Sequence, residues 1–459
     1  MTINLIVIYV VDYLSPIRFV CRMSSSIKED NDIVFIAKTK SAIDEVLALL
    51  RTYHDIINSH LNEYIVKNLS LQIDIDGSSS KDIFVKKCQS IGEIGCCYHA
   101  GVNCIECCSE NKLKNDKIDK NFKIIKKQQH NSFLSEKKHH EVEYLANIVN
   151  QIAIKTKCEN IVDFGSGKGY LGYELVYNYG LNVLGVESSM KNVVSSEKRK
   201  KMLSKHQIED KILKSIACHI HPDLIDSSES FIEDLKNNFL SPTMNNALLV
   251  GLHSCGNLTC TALKLFSKEN YFHGVVMIGC CHNLLENKKD FPMSDYLNQC
   301  SVSLERNAFM LACQCPIRWN SEKQTLSKSV LYRAILEKIF EDYQIDRSNL
   351  KAVQFRNLGQ KSSTFKEYVL LVNDKLQTKG VCFKVEEEQI EKYWDKYKGF
   401  WEGMKEYHMV RMQLAPSIEK LILLDRLLYL IEKGFTKSGI VRLFSPVISP
   451  RCYAIISLR

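Results

Sequence analysis

Short, mostly apolar runs recur through the middle of the chain, and stretches with helical spacing separate them. Five such runs cover residues 160–164, 182–186, 213–220, 247–252 and 274–278. A run without a polar face is typical of a strand in a parallel sheet that is buried on both sides. The pattern therefore predicts an α/β core with five parallel strands.

The strand pattern stops after residue 282 and returns only near the C-terminal end. A helix predicted over residues 418–432 leads to Gly434, and two strand-like runs follow at 440–444 and 452–458. The link between these two runs, S-P-V-I-S-P-R, is too short for a crossover, so the two strands must be antiparallel. The expected sheet thus has seven strands and ends in an antiparallel hairpin.

The segments around this core define the predicted domains. Residues 42–50 carry helical spacing, and a cysteine-rich stretch and a lysine-rich stretch lie further along the chain. We divide the chain into an apolar N-terminal extension (1–23), a helical N-terminal domain with a Cys-rich end and a Lys-rich linker (24–130), core strands one to five (131–282), a mainly helical insertion (283–415), and the last helix with strands six and seven (416–459).

The composition is that of a globular protein, with 45% apolar and 25% charged residues among 459. The net charge of +8 allows RNA or an acidic protein as a partner but establishes neither. The 18 cysteines are too sparse for the disulfide framework of a small secreted domain, so we expect reduced thiols in the cytoplasm, with the nucleus as the alternative. The apolar start lacks a basic leader, and Asp12 interrupts it before a membrane span is complete, so we expect no membrane partner.

The first predicted strand runs into D-F-G-S-G-K-G at residues 163–169. Alternating glycines after a strand let a nucleotide lie against the backbone, and three ligands compete for this loop. A P-loop is excluded because Val162 stands in place of its first glycine and no Ser or Thr follows Lys168. A dinucleotide stays open, since G-x-G-x-x-G occurs at 167–172 and Glu187 lies at the expected distance.

S-adenosylmethionine is the third ligand, and it also accounts for Asp163. A carboxylate at the end of the first strand can position the ammonium group of the methionine part, directly or through water. Glu187, at the end of the second strand, can accept hydrogen bonds from both ribose hydroxyls. The predicted cofactor site comprises Asp163, Gly165, Ser166, Gly167, Gly169 and Glu187, together with His253 from the fourth strand.

Further motifs follow one another in order from about residue 133 to the C-terminal end. They include H-H-E-V-E-Y-L (139–145), G-L-H-S-C-G-N-L (251–258), I-G-C-C-H-N-L-L (278–285), F-P-M-S-D-Y-L (291–297) and L-A-P-S-I-E-K-L-I-L-L-D-R (414–426). With the glycine loop, this set resembles the methyltransferase-like protein 25 family, a relative of which is described as containing a ribosomal RNA adenine dimethylase domain. The resemblance implies the class I S-adenosylmethionine-dependent methyltransferase fold, which is Rossmann-like, and the corresponding activity.

We hypothesise a methyltransferase that acts on a macromolecule, either RNA or protein. Adenine methylation of the usual exocyclic type would need a different pocket, because the chain has no Pro-Pro dipeptide and reads H-S-C-G-N after the fourth strand. A catalytically silent partner protein with the same fold is the alternative. A nicotinamide-dependent oxidoreductase is a third hypothesis, which Asp163 and the terminal hairpin disfavour.

Strands four and five end at the same edge of the sheet, which brings His253 and Cys255 near Cys280, Cys281 and His282. We predict His253, His282, Cys280 and Cys281 as catalytic, with a thiol or imidazole that takes a proton from the acceptor or holds it. We assign no metal ligands, because the preferred zinc spacings are absent, and zinc is the lesser alternative. Packing of small side chains is the structural alternative for the cysteine pair.

A second cluster lies upstream, where Cys104 and Cys107 form a CxxC and Cys96 and His99 have C-x-x-H spacing. This pattern fits zinc better, although the loop between its two halves is short. The basic run K-R-K-K (198–201) is expected on a solvated helix face, with a docking patch for RNA or an acidic protein as the lesser interpretation.

Overall fold

The computed structural model describes residues 28–69, 78–94, 97–99, 134–203, 211–238, 246–345, 357–381 and 383–459, with single positions at 350, 353 and 355. The predicted apolar extension, the lysine-rich linker, and Cys96, Cys104 and Cys107 of the upstream cluster lie outside the described residues. Among the described helices, none combines the length and the apolar content that crossing a membrane requires.

An eight-stranded mixed sheet forms the centre of the described chain, in the order β1-β7-β8-β6-β5-β2-β3-β4. The five strands from β2 to β6 are parallel to one another, and β8 inserts antiparallel between β6 and β7. The strands are β1 (Cys97–His99), β2 (Asn160–Phe164), β3 (Asn182–Glu187), β4 (Leu213–Ala217), β5 (Ala247–Ser254), β6 (Phe272–Gly279), β7 (Ser438–Arg442) and β8 (Tyr453–Leu458).

The predicted seven-stranded class I methyltransferase sheet with its terminal hairpin is thus confirmed as β2 to β8. The short strand β1 is an addition that the sequence pattern did not indicate, and it pairs antiparallel with β7 at the sheet edge. A three-residue strand in a cysteine-rich stretch has too little alternation to be recognised.

Helices cover both faces of the sheet. They are α1 (Lys28–Thr52), α2 (His54–Asn58), α3 (Ser78–Gly92), α4 (Glu136–Thr156), α5 (Tyr170–Tyr179), α6 (Met190–Leu203), α7 (Ser228–Asn238), α8 (Leu258–Lys268), α9 (Asp295–Gln299), α10 (Arg306–Ala312), α11 (Pro316–Ser321), α12 (Ser329–Asp342), α13 (Leu358–Lys361), α14 (Phe365–Gln377), α15 (Glu387–Tyr397) and α16 (Trp401–Glu432). Short 3-10 turns occur at Leu61–Glu63, Pro222–Ile225, His282–Leu284 and Lys398–Phe400.

Alternate side chains of each central strand enter two separate apolar cores. Ile161 packs with α4 and α5 on one face, whereas Val162 packs with α7, α8 and α16 on the other. The second core also takes in the N-terminal helices and the helices between β6 and β7. Because both faces are covered, the central strands are mostly apolar, which is the pattern that predicted them.

The helix predicted over 418–432 begins earlier, at Trp401, and has 32 residues. It crosses the predicted domain boundary at residue 415, and Pro416 lies inside it. Helix α3 approaches so closely here that a Cβ atom at Gly92 would lie 2.9 Å from the Cβ atom of Pro416. A proline removes one helical hydrogen bond, so α3 packs on the turn of α16 where the backbone lacks that bond.

Two of the sequence motifs contact each other through Asp425. Its carboxylate accepts hydrogen bonds from the backbone N–H groups of Met293 and Ser294, at 2.8 and 2.9 Å, and from the Ser294 hydroxyl at 2.7 Å. Burial raises the pKa of Asp425 to about 6, although these hydrogen bonds oppose the shift. The carboxylate therefore fixes the loop after β6 to helix α16, which is a structural role for both motifs.

Candidate active site at the ends of strands β2, β3, β5 and β6

The glycine loop follows β2 directly and turns the chain into helix α5. Gly165, Gly167 and Gly169 all have positive φ values, of 71°, 57° and 73°. At Gly169 a Cβ atom would also clash with the hydroxyl of Ser196 in helix α6 and lie only 3.2 Å from its Cβ atom. These residues must be glycine because of the backbone conformation and, at Gly169, because of the close approach of another helix.

Asp163, the next-to-last residue of β2, has a buried carboxyl group whose Oδ1 atom has no hydrogen-bond partner among the described residues. Burial, with a further contribution from the nearby carboxylate of Glu187, raises the pKa of Asp163 to about 8. The hydroxyl of Ser166, in the same loop, is likewise buried and unpaired within the described part of the chain. A buried polar group without a partner is costly, so these two atoms fit a polar ligand that the protein itself does not supply.

Glu187 ends β3 and holds the glycine loop from the other side. Its carboxylate accepts hydrogen bonds from the backbone N–H of Gly167 at 2.9 Å and from that of Ser189 at 2.8 Å. The side chain of Asn192 donates a third at 3.3 Å. The predicted cofactor residues of the first two strands are therefore brought together at one edge of the sheet, as the sequence indicated.

His253, next to the end of β5, pairs with a carboxylate that the sequence reasoning missed. Its Nε2 atom lies 3.1 Å from the carboxylate of Glu141 in helix α4, which also accepts a hydrogen bond from the hydroxyl of Ser449 at 2.6 Å. Burial alone would raise the pKa of Glu141, but the hydrogen bonds from His253 and Ser449 outweigh it and lower that pKa. An ionised Glu141 accepts the Nε2 proton of His253, which leaves the lone pair on Nδ1.

The imidazole of His253 is 41% exposed, whereas the carboxylate of Glu141 is 2% exposed. The buried carboxylate thus fixes the tautomer and orientation of a ring that substrates can reach. Glu141 stands in the H-H-E-V-E-Y-L motif, but nothing in that motif alone points to His253, which is 112 residues away.

Three thiols meet at the ends of β5 and β6. The sulfur of Cys255 lies 3.0 Å from that of Cys280 and 3.3 Å from that of Cys281, and the latter two are 3.5 Å apart. The hydrogen bond from Cys280 lowers the pKa of Cys255 to about 6, and the same contact together with burial raises the pKa of Cys280. The side chain of Cys255 is exposed, and the other two are half-buried.

His282 follows these cysteines but is buried, with an exposed side-chain fraction of 1%. Its Nε2 atom lies 3.8 Å from the carboxylate of Glu419, which is too long for a hydrogen bond, and Glu419 pairs with Arg451 at 2.7 Å. Burial lowers the pKa of His282 to about 4, so the ring is neutral at pH 7. The predicted catalytic role of His282 stays a prediction, and its burial favours a packing role.

The basic run at 198–201 is not a uniformly solvated face. The guanidinium of Arg199 lies 3.9 Å from the ring centroid of Tyr170, and Lys138 of helix α4 lies 4.0 Å from the same ring. Lys200 donates a hydrogen bond to the carbonyl of Leu213 at 2.5 Å. Cationic side chains therefore border the start of helix α5, where the glycine loop ends.

Comparisons with known proteins cover the part of the chain that holds this candidate site. A family model described as a methyltransferase domain matches residues 137–288, which contain the glycine loop, Glu187, His253 and the three cysteines. Probable methyltransferase-like protein 25 of Mus musculus is 29% identical over 474 aligned residues, covering 75% of this chain and 78% of the mouse protein. The Homo sapiens protein of that name is 28% identical over 478 residues, with 75% and 77% covered.

Among solved structures, that of the plantazolicin methyltransferase BpumL in complex with SAH matches 71% of this chain and 94% of its own, at 9% identity and a TM-score of 0.21. The family model and the two mammalian relatives carry the assignment, together with the sheet order. The resemblance predicted from the sequence motifs is confirmed: the chain is a methyltransferase of the class I fold, similar to methyltransferase-like protein 25.

Proposed function

We propose that this methyltransferase transfers the methyl group of S-adenosylmethionine to a macromolecular acceptor, either RNA or protein. The observation that carries the cofactor assignment is the unpaired, buried carboxyl group of Asp163 beside three glycines with positive φ. A cationic ammonium or a hydroxyl placed there would satisfy a group that no described side chain satisfies.

The chain offers three elements that fit this cofactor. Asp163 would hold a polar group of the methionine part, the loop from Gly165 to Gly169 would lie against the nucleoside, and Glu187 would hold the ribose. When bound, S-adenosylmethionine supplies an electrophilic methyl group on a sulfonium sulfur. Glu187 already orders the loop through Gly167, so its carboxylate must also accept the ribose hydroxyls through its remaining lone pairs.

His253 is the residue best placed to move a proton. An acceptor nitrogen or oxygen that gains a methyl group must lose a proton, and a neutral imidazole can take it. Because ionised Glu141 holds Nε2–H, the free lone pair lies on Nδ1, and Glu141 stabilises the imidazolium that forms. Glu141 and Ser449 are positioning residues in this scheme.

Two features support a macromolecular acceptor. The site is bordered by Lys138 and Arg199, which stack on Tyr170, and by exposed Lys168 in the loop, so an anionic surface is favoured there. The helices between β6 and β7 and the N-terminal helices also add surface beside the sheet, which suits recognition of a macromolecule. We retain the cytoplasm, with the nucleus as the alternative, as the proposed location.

Calorimetric titration of the purified protein with S-adenosylmethionine, S-adenosylhomocysteine and NADH tests the cofactor. We expect both adenosyl ligands to bind and NADH to give no heat of binding. Binding of NADH alone would overturn the proposal in favour of an oxidoreductase.

The acceptor is then sought with S-adenosylmethionine that is labelled on the methyl group. The protein and its His253→Asn variant are incubated with cell-lysate fractions, and each product is treated with RNase or with protease. Label that depends on His253 and disappears with one of the two treatments identifies the acceptor class. Cofactor binding without any label in RNA or protein would favour the silent partner protein instead.

A further inference from the structure

The three thiols of Cys255, Cys280 and Cys281 form one cluster in which each sulfur contacts the other two. Their sulfur atoms lie 3.0 to 3.5 Å from one another, although two strands and a turn supply them. Parallel pairing of β5 with β6 brings both strand ends to one edge, which explains how Cys255 and Cys280 meet across 25 residues of sequence. The 3-10 turn at His282–Leu284 then begins after Cys281 and fixes the third thiol.

We propose that Cys255, Cys280 and Cys281 bind one zinc ion as three thiolate ligands. Thiolates are preferred zinc ligands, and a zinc ion bonded to three sulfurs at ~2.3 Å spaces them ~3.8 Å apart in a tetrahedral site. The observed triangle of sulfurs is slightly smaller, so each sulfur needs to move outward by only about 0.3 Å. A disulfide would use two of the three thiols and leave the third without a function.

The fourth coordination position of this zinc site is open. Among the residues that the structure describes, no fourth Cys, His, Asp or Glu joins the group. The thiol of Cys313 lies close by but contacts the carbonyl of Cys280 at 3.9 Å and the side chain of Asn283 at 3.5 Å. Since Cys255 is exposed, solvent or an acceptor atom can reach the ion, which is the arrangement of catalytic rather than structural zinc sites.

Elemental analysis of the reduced, full-length protein tests the proposal, without any added S-adenosylmethionine. All proteins carry Cys104→Ser and Cys107→Ser, so that the upstream cluster contributes no metal. We expect about one zinc ion per chain, lost in each of the variants Cys255→Ser, Cys280→Ser and Cys281→Ser. The matched controls Cys300→Ser and Cys313→Ser should retain the zinc.

Cys255→Ser is the decisive variant, because an exposed side chain can change without disturbing the core. Its cofactor affinity, measured in the same preparation, shows whether the methyltransferase site is intact, so failure of the zinc proposal is separable from failure of the cofactor proposal. The zinc site is overturned if the folded protein holds no zinc even after reconstitution, or if mass spectrometry finds a Cys255–Cys280 disulfide. Loss of zinc in Cys313→Ser would contradict the open fourth position.

Discussion

At the scale of single residues, two buried aspartates illustrate opposite uses of a carboxyl group. Asp425 accepts three hydrogen bonds and joins two elements, whereas Oδ1 of Asp163 has no partner in the described part of the chain. An unpaired buried carboxyl destabilises the fold that contains it. The proposed ligand would pair with Asp163 and would account for such a group near the end of β2.

The first prediction concerns Asp163→Asn. The unfolded carboxyl ionises near 3.8 and the folded one at about 8, so the folded state binds more protons between these pH values. The free energy of unfolding must therefore decrease as pH rises through this window, and the variant should not show that decrease. We expect its melting temperature at pH 8 to exceed that of the parent, while its affinity for S-adenosylmethionine decreases.

Asp425→Asn is the control for this prediction. It removes a satisfied acceptor of three hydrogen bonds, so the variant should melt at a lower temperature. Asp163→Asn melting below the parent at pH 8 would show that Asp163 has a structural partner and would remove the basis for the cofactor assignment.

The second prediction concerns Glu187→Ala. Two hydrogen bonds to an ionised acceptor, partly replaced by water, are worth about 2 to 4 kcal/mol of binding energy for S-adenosylmethionine. The variant also releases the N–H of Gly167, so the loop should exchange its amide hydrogens faster even without ligand. The control is Glu159→Ala, which changes an exposed carboxylate and should leave the affinity for S-adenosylmethionine, measured by calorimetric titration, unaltered. Equal affinities of the two variants would exclude Glu187 from the site.

The third prediction separates His253 from His282. His253→Asn should keep its cofactor affinity but lower turnover by the ~10² to 10⁴ typical of lost proton transfer. His282→Asn should retain turnover per folded molecule and lose stability. The structure also indicates the pH dependence: folded His282 stays neutral down to about pH 4, whereas its unfolded form charges below 6.5.

His282 therefore lowers the stability of the parent as pH drops from 6.5 towards 4, and His282→Asn removes that pH dependence. The melting temperatures of the parent and of both variants between pH 4 and pH 8 measure this pH dependence, as the difference between each variant and the parent. Normal turnover of His253→Asn together with a lowered melting temperature would show that His253 has a packing role and is not catalytic.

Sequence reasoning could predict that Asp163 and Glu187 lie together beside the glycine loop, because strand ends and glycine spacing are local features. It could not find Glu141 and Ser449. These two residues are 308 positions apart in sequence, and their hydrogen bond depends on how the C-terminal hairpin packs against α4. The burial of His282 was equally hidden, since the residues near it, Glu419 and Arg451, come from α16 and from the link just before β8.

At the scale of elements, the most informative strand is β8. It lies between β6 and β7 and pairs with both, so it is central although it comes last in sequence. The short link and the apolar run made this hairpin predictable. Strand β1 and the N-terminal half of α16 were not, because three residues give no periodicity and Pro416 is typical of a helix boundary.

The fourth prediction is that the chain needs β8 to fold. Deleting residues 451–459 exposes the apolar edge of β6, so the product should be insoluble. A point variant tests the same strand: Ile455→Asp places a charge at a position that is 1% exposed, whereas Val447→Asp changes a link residue that is 41% exposed. Of the two point variants, only Ile455→Asp should lower the soluble yield. A truncated protein that is soluble and binds the cofactor would contradict this sheet order.

At the scale of the whole molecule, the N-terminal helices are tied to the C-terminal helix by buried cations. Lys420 donates hydrogen bonds to the carbonyls of Ile91 and Glu93, at 2.7 and 2.9 Å. Arg411 donates to the carbonyls of Ile56 and Ser59 and, at 3.1 Å, to the Ser59 hydroxyl. Burial lowers the pKa of both cations, while nearby acidic groups oppose the shift: Tyr407 and Glu63 at Arg411, and Glu45 and Glu93 at Lys420.

The fifth prediction is that these contacts make the N-terminal helices and the methyltransferase core unfold together. Arg411→Met keeps most of the apolar stem but leaves the carbonyl of Ser59 unpaired, so we expect a loss of about 3 kcal/mol in the free energy of unfolding. Calorimetry should show the parent and the variant each melting in a single transition, with the variant at a lower temperature. Arg442→Met, which changes an exposed arginine of β7, is the matched control and should melt as the parent does. The variant could instead show two transitions, of which only the first is shifted, while the second, at which cofactor binding is lost, stays at the parent's temperature. That result would show that the N-terminal helices form an independent unit.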